Sequence, residues 1–83
     1  MNEKSLYDLE IGKKGVVRKV LNTGTIKRRL LDIGFTPGTT VENIMVNPGG
    51  ELVAYMVRGA LIAVREDDAK KILIEELHNE ESE

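Results

Sequence analysis

With 83 residues, 41% hydrophobic and 31% charged, the chain has the composition of one soluble globular domain. A domain this small buries only about 60–65% of the surface its unfolded chain exposes, which argues against a deep catalytic cleft. A formal net charge of −2 counts against nucleic acid, whose binders carry a basic excess or a basic face, and the absence of cysteine excludes disulfides, thiolate metal sites and cysteine nucleophiles.

The opening MNEKSLYDLE has no signal-peptide pattern, and residues 1–4 are expected to be a flexible N-terminus. Leu6, Leu9 and Ile11 lead into the glycine-bounded turn Gly12-Lys13-Lys14-Gly15. The β-branched density that follows predicts a first strand from about Gly15 to Leu21. Asn22, Thr23 and Gly24 are turn residues, and either Thr23 or Thr25 can cap the next element. Apolar residues then fall at 26, 30, 31 and 33, the spacing of a helix face, while Lys27, Arg28 and Asp32 point elsewhere; two turns of amphipathic helix are predicted. Gly34 suits the positive-φ residue that ends a helix, with Phe35 folding back as the apolar partner of the cap. Pro37-Gly38 fits the centre of a type II turn.

Thr40 to Val46 reads as a strand whose alternation slips near Glu42-Asn43, the mark of a bulge, and Asn47-Pro48-Gly49-Gly50 closes a hairpin. Glu51 to Arg58 and Ala60 to Arg65 are two further β runs, which a two-residue link at Arg58-Gly59 pairs antiparallel. Asp67 and Asp68 open a single helical turn through Ala69 and Lys71, and Ile72-Leu73-Ile74 is a last short strand. Residues 78–83, HNEESE, form an acidic tail expected to be disordered. The longest apolar run, Leu52 to Val57, falls far short of the roughly 20 residues that cross a bilayer, so a cytoplasmic location is expected. Five short strands around one helix predict an all-β domain over residues 5–77. It is a small SH3-like β-barrel, closed or nearly closed to remove exposed edges, with one short α-helix inserted between its first two strands.

Chemistry-bearing constellations are few. The one histidine, His78, lies in the predicted tail, so no metal site and no cofactor are predicted. The glycine-containing segments do not match a phosphate-cradling loop. Serines at 5 and 82 only leave no nucleophile beside a base, and the chain reads as a non-enzyme. Lys27-Arg28-Arg29 is a solvated face unless an exposed apolar residue lies beside it, in which case it steers an acidic partner. Leu30, Leu31, Ile33 and Phe35 exceed what two turns of helix readily bury. Most of them are expected in the core and at least one, Phe35 or Leu31, in a partner-binding patch. The run Leu52 to Val57 lacks polar alternation, and Leu61 falls on the face opposite Ile62 and Val64. Apolar outward positions on these neighbouring strands would form a binding or a self-association surface.

The segments RRLLDIGFTPGTTVE (28–42), VRGALIAVREDDAKKI (57–72) and LYDLEIGKKGVVRKV (6–20) resemble, in order and spacing, the FeoA family of small ferrous-iron-transport accessory proteins, over about Ser5 to Glu76. The resemblance implies an SH3-like barrel similar to the C-terminal domain of iron-dependent repressors of the diphtheria-toxin-repressor type. It also implies a cytoplasmic protein that contacts the cytosolic GTP-binding region of the ferrous iron permease of the bacterial inner membrane and modulates transport or assembly. Such a protein is peripheral to the membrane only through that partner. Candidate contacts are Arg28, Arg29, Leu31, Phe35, Arg58, Ala60 and Leu61, with Gly34, Pro37, Gly38 and Gly59 assigned to backbone geometry. Ala60 stands where the family often has a tyrosine or other bulky residue, and the NPGG hairpin lacks the usual Gly-Asp-Pro arrangement; both alter a contact surface without changing the fold. Two alternatives stand beside this reading. One is a regulatory or metal-sensing module acting like the repressor barrel. The other is an RNA-binding barrel using Lys27 to Arg29, against which the scarcity of aromatic residues counts.

Overall fold

The structure, a computed structural model, describes residues 3–78. Strand β1 (Glu3–Ser5) runs into a single 3₁₀ turn at Leu6–Asp8, followed by β2 (Lys14–Val20), helix α1 (Gly24–Ile33), β3 (Thr40–Val46), β4 (Leu52–Val57), β5 (Ala60–Arg65), the one-turn helix α2 (Glu66–Ala69) and β6 (Ile72–Glu76). The strands form one antiparallel sheet in the order β1-β6-β2-β3-β4-β5. The fold is the small SH3-like all-β class expected, with two differences. The sheet has six strands rather than five and is not closed, leaving β1 and β5 as its edges. Because β1 precedes the strand read as first, α1 lies between the second and third strands.

The extra strand takes up half of the segment expected to be flexible: Glu3 and Lys4 pair with Glu75 and Ile74, while residues 1 and 2 lie outside the described residues. Glu-Lys-Ser carries no apolar alternation, so pairing with β6 creates this strand. Lys14 is already in β2, and the preceding turn closes earlier, with the Lys13 N–H donating to the Glu10 carbonyl at 3.0 Å. Thr23 is the residue before α1, but its side chain makes no capping bond. Likewise α2 starts at Glu66, one residue before the aspartates expected to open it. Its N-terminus has no side-chain cap, and the Lys70–Glu66 ion pair at 2.7 Å braces it. Strand β6 runs past Ile74 to Glu76, since the Leu77 N–H still donates to the Lys14 carbonyl at 2.8 Å. Of the acidic tail, residues 79–83 lie outside the described residues, and His78 is exposed.

The bulge in β3 falls between Asn43 and Met45. Asn43, 2% exposed, turns its Nδ2 inward to donate to the Leu9 carbonyl at 2.8 Å, while its backbone exchanges bonds with Gly12 and Lys13. A buried amide on this strand thereby ties down the loop before β2. Beneath it, Val17, Val41, Val53, Tyr55, Ile72 and Ile74 form the centre of the core.

Helix α1 ends for the reason the sequence suggests. The Phe35 N–H reaches the Leu30 carbonyl at 3.0 Å and the Gly34 N–H the Leu31 carbonyl at 3.1 Å, the paired bonds of a Schellman cap. Gly34 holds φ 132°, and Phe35 turns back into the core beside Leu30. A Cβ on Gly34 would lie 3.0 Å from both Arg58 Cδ and Val57 Cγ1. The following turn is closed by the Thr39 N–H on the Thr36 carbonyl at 3.0 Å, with Gly38 at φ 95°.

Two outcomes are expected from this packing. Gly34→Val adds strain at positive φ to a crowded contact and should destabilise the domain by about 1–3 kcal/mol, lowering the melting temperature by roughly 5 °C or more; an unchanged thermal transition would refute the cap. The second concerns pH. Arg18 and Lys4 hydrogen-bond Glu75 and Glu76 at 2.7 and 2.8 Å, and each holds its partner carboxyl below the usual carboxylate range. A carboxyl lowered on folding stabilises fully above its unfolded pKa, about 4.3 for Glu, and the gain is lost as pH falls through the lower folded value. The Arg18–Glu75 pair is exposed and the Lys4–Glu76 pair part-buried at the surface, and their contribution is modest. The part of the melting temperature owed to these pairs should therefore be insensitive to pH down to about pH 5 and fall below it, and the fall should be shallower in Glu75→Gln/Glu76→Gln.

Candidate interaction site

The candidate contacts divide among four environments. Phe35, expected at the surface, has no exposure: its ring edge meets Tyr55 with centroids 6.3 Å apart and planes at 89°. The same cap geometry that ends α1 carries this residue inside, so it is not a contact residue. Arg58 stands in the left-handed region at φ 51° with Gly59 at φ 84°, the two positive dihedrals a two-residue hairpin needs. Its Nη2 donates to Thr36 Oγ1 and Thr39 Oγ1, both at 3.2 Å. The guanidinium thus bridges the β4–β5 hairpin to the Pro37-Gly38 turn, and its stem covers Gly34.

The third environment is a groove of about 340 Å³ between α1 and β5. Ile26, Leu30 and Ile33, the apolar stripe of α1, form one wall, and Ile62 and Val64 form the other. Arg29, Arg65 and Asp68 stand at the rim. Ile26 is 47% exposed. Leu31 and Ile33 are half-buried against the core. Arg28, at about 100° per residue, lies roughly 160° round the helix from Leu30, on its solvent side. Lys27, Arg28 and Arg29 are all exposed and enter no ion pair among the described residues.

The fourth environment is the outer face of β3–β4–β5. Leu61 is 52% exposed and pairs with Met56, as Ala63 pairs with Ala54 and Arg65 with Leu52. Exposed Met45, across from Ala54, continues this apolar face. Ala60 is exposed beside the hairpin turn. The structure therefore brings Arg29 to the groove, leaves Arg28 on solvent, puts Leu61 on a separate face and uses Arg58 as a brace. Ile26, Ile62, Arg65 and Asp68 were not singled out by the sequence. The spacing 26, 30, 33 does contain the groove wall, but spacing alone assigns Ile26 to the core with its neighbours.

Among the described residues no three His, Cys, Asp or Glu side chains converge into a metal-holding group, and no helix is long and apolar enough to cross a membrane. The model of the FeoA domain matches residues 4–76. A protein of Porphyromonas gingivalis (strain ATCC BAA-308 / W83), the Fe(2+) transport protein A/Fe(2+) transporter FeoB fusion protein, is 30% identical over 70 residues, covering 84% of this chain and 8% of that protein. The chain thus spans a small fraction of the length of this curated relative. Stenotrophomonas maltophilia FeoA, solved with zinc and described as a prokaryotic SH3 domain protein, is 29% identical and superimposes with a TM-score of 0.77 over 86% of this chain and 88% of that one. T. acidophilum IdeR shares the fold, with a TM-score of 0.82 over 93% of this chain and 35% of that one, at 19% identity. The match of the family model over nearly the whole domain, with an SH3-like fold shared with a solved FeoA, establishes that the chain belongs to the FeoA family, whose role lies in ferrous iron transport.

Proposed function

We propose that this chain is a non-catalytic adaptor of ferrous iron uptake: a cytoplasmic protein that binds the cytosolic GTP-binding region of a ferrous iron permease and modulates its transport or assembly. The observation that carries the reading is the fusion of a FeoA-like segment with a transporter in one polypeptide of P. gingivalis. Covalent joining fixes the two parts at equal stoichiometry and high effective concentration, an arrangement that favours components that act on each other. The surface is suited to such a role. Lys27, Arg28 and Arg29 supply unpaired positive charge for steering, and the exposed Ile26 beside them supplies apolar area to anchor a partner.

The test is an NMR titration of the labelled protein with the soluble GTP-binding domain of the cognate permease, with and without nucleotide. Shifts should cluster on Arg28, Arg29, Leu31, Ala60 and Leu61, with Arg58 reporting through its brace. Arg28→Glu/Arg29→Glu should weaken binding by about tenfold, equivalent to roughly 1.4 kcal/mol, with most of the change in the association rate and its salt dependence. Absence of shifts at about 1 mM, the limit of a weak specific contact, would overturn the adaptor reading.

A further inference from the structure

We infer that the free edge of β5 accepts an extended, acidic and apolar segment of a partner protein as an added strand, seated beside α1. The inference rests on the adaptor reading and assigns its mode of contact. Among the described residues, strand β5 is the last in the sheet and β4 is its one paired neighbour. The two-residue link makes Val57 and Ala60 the closing hydrogen-bonded pair, so the bonded positions continue at Ile62 and Val64. The Glu66 N–H bond to the Glu51 carbonyl at 2.9 Å falls in the same phase. The N–H and C=O groups of Leu61 and Ala63 and the N–H of Arg65 therefore point to the open edge, while the carbonyl of Arg65, the residue before α2, is turned to that helix.

That edge is six residues long and carries no charge before Arg65, and it flanks the groove whose far wall is α1. A strand laid along it would gain main-chain bonds from three residues. Its alternate side chains would enter the apolar groove against Ile26, Ile33 and Ile62, as strand addition to a sheet edge requires. Charge decides the occupant. The rim holds Arg29 and Arg65 against Asp68, with Lys27, unpaired among the described residues, on the adjoining helix and Arg28 on the solvent side of that helix. A second copy would bring the same basic helix and the same Arg65 to this edge, like against like. An acidic segment meets opposite charge.

The full-length protein is tested first with an acetylated octapeptide of alternating Val and Glu, reading amide hydrogen exchange. Exchange at Leu61, Ala63 and Arg65 should slow by about tenfold or more, and the same peptide with Lys for Glu should not protect. No protection by the acidic peptide at about 1 mM overturns the inference, as does protection by self-association without peptide. Ala63→Pro removes one outward N–H and no bond to β4, and should abolish peptide binding. Because proline can also disturb the strand, Arg29→Glu/Arg65→Glu gives an independent readout: preference should switch from the Glu to the Lys peptide, which loss of structure would not produce. The permease GTP-binding domain is then titrated under the same readout. Binding that protects these three amides supports both readings, whereas binding without protection overturns the edge assignment alone. No permease binding, with the peptide arm positive, overturns the adaptor reading and leaves the strand-accepting edge in place.

Discussion

The contact on which most of the domain converges is made by Tyr55. Its ring, without exposure, meets the edge of Phe35, and its hydroxyl donates to the Leu6 carbonyl at 3.1 Å. One side chain from the middle of β4 thus ties the residue that ends α1 to the turn that follows β1. Burial pushes the phenol well above its ordinary pKa, so it remains a neutral donor throughout the physiological range. A buried hydroxyl left without a partner would cost about 1–3 kcal/mol, which makes the position of the Leu6 carbonyl part of the same arrangement. Two of the chain's three aromatic rings are spent in this place. In a domain with so little buried surface, that concentration sets where the centre lies.

The site inherits its shape from that centre through a short series of contacts. Phe35 fixes the end of α1 in the core, Gly34 lets the chain turn tightly there, and the Arg58 stem lies over Gly34 with its guanidinium on Thr36 and Thr39. The β4–β5 hairpin and the end of α1 are therefore held as one piece, and the groove between α1 and β5 is the gap left between them. At the other end, the Asn22 Nδ2 bond to the Asp68 carbonyl at 3.1 Å joins the second residue before the helix to α2. Both ends of the groove are anchored by polar contacts, while its walls are aliphatic.

Much of this architecture was legible because local chemistry settles it. Glycine with a following phenylalanine marks the helix end, Pro-Gly marks the turn, and the two-residue link marks the hairpin; each works through backbone dihedrals that few other residues tolerate. Strand β1 was not legible, since Glu3-Lys4-Ser5 has no pattern of its own and is made by β6. The contact surface was legible in composition but not in direction. Four large apolar residues within 30–35 announced more than a helix face could bury. Which of them went inward depended on the cap and on Tyr55, a residue twenty positions further on. Arg58 read as a free charge because its threonine partners are set by tertiary structure.

The expectation of closure conceals the feature that matters most for function. Closing a small barrel removes its edges, yet this sheet keeps two, and they are not alike. The β1 edge is three residues long and bears Glu3 and Lys4, short and charged in the manner that discourages pairing with another chain. The β5 edge is twice as long and apolar up to its last residue, the kind of edge that recruits strands indiscriminately unless something restricts it. Here the restriction comes from outside the strand: α1 walls one side, and its basic residues repel any copy bearing the same charge. An edge left open in this way excludes its own kind while remaining available to a segment of opposite charge. For a chain with a relative fused to a transporter, that selectivity is the property an adaptor surface needs.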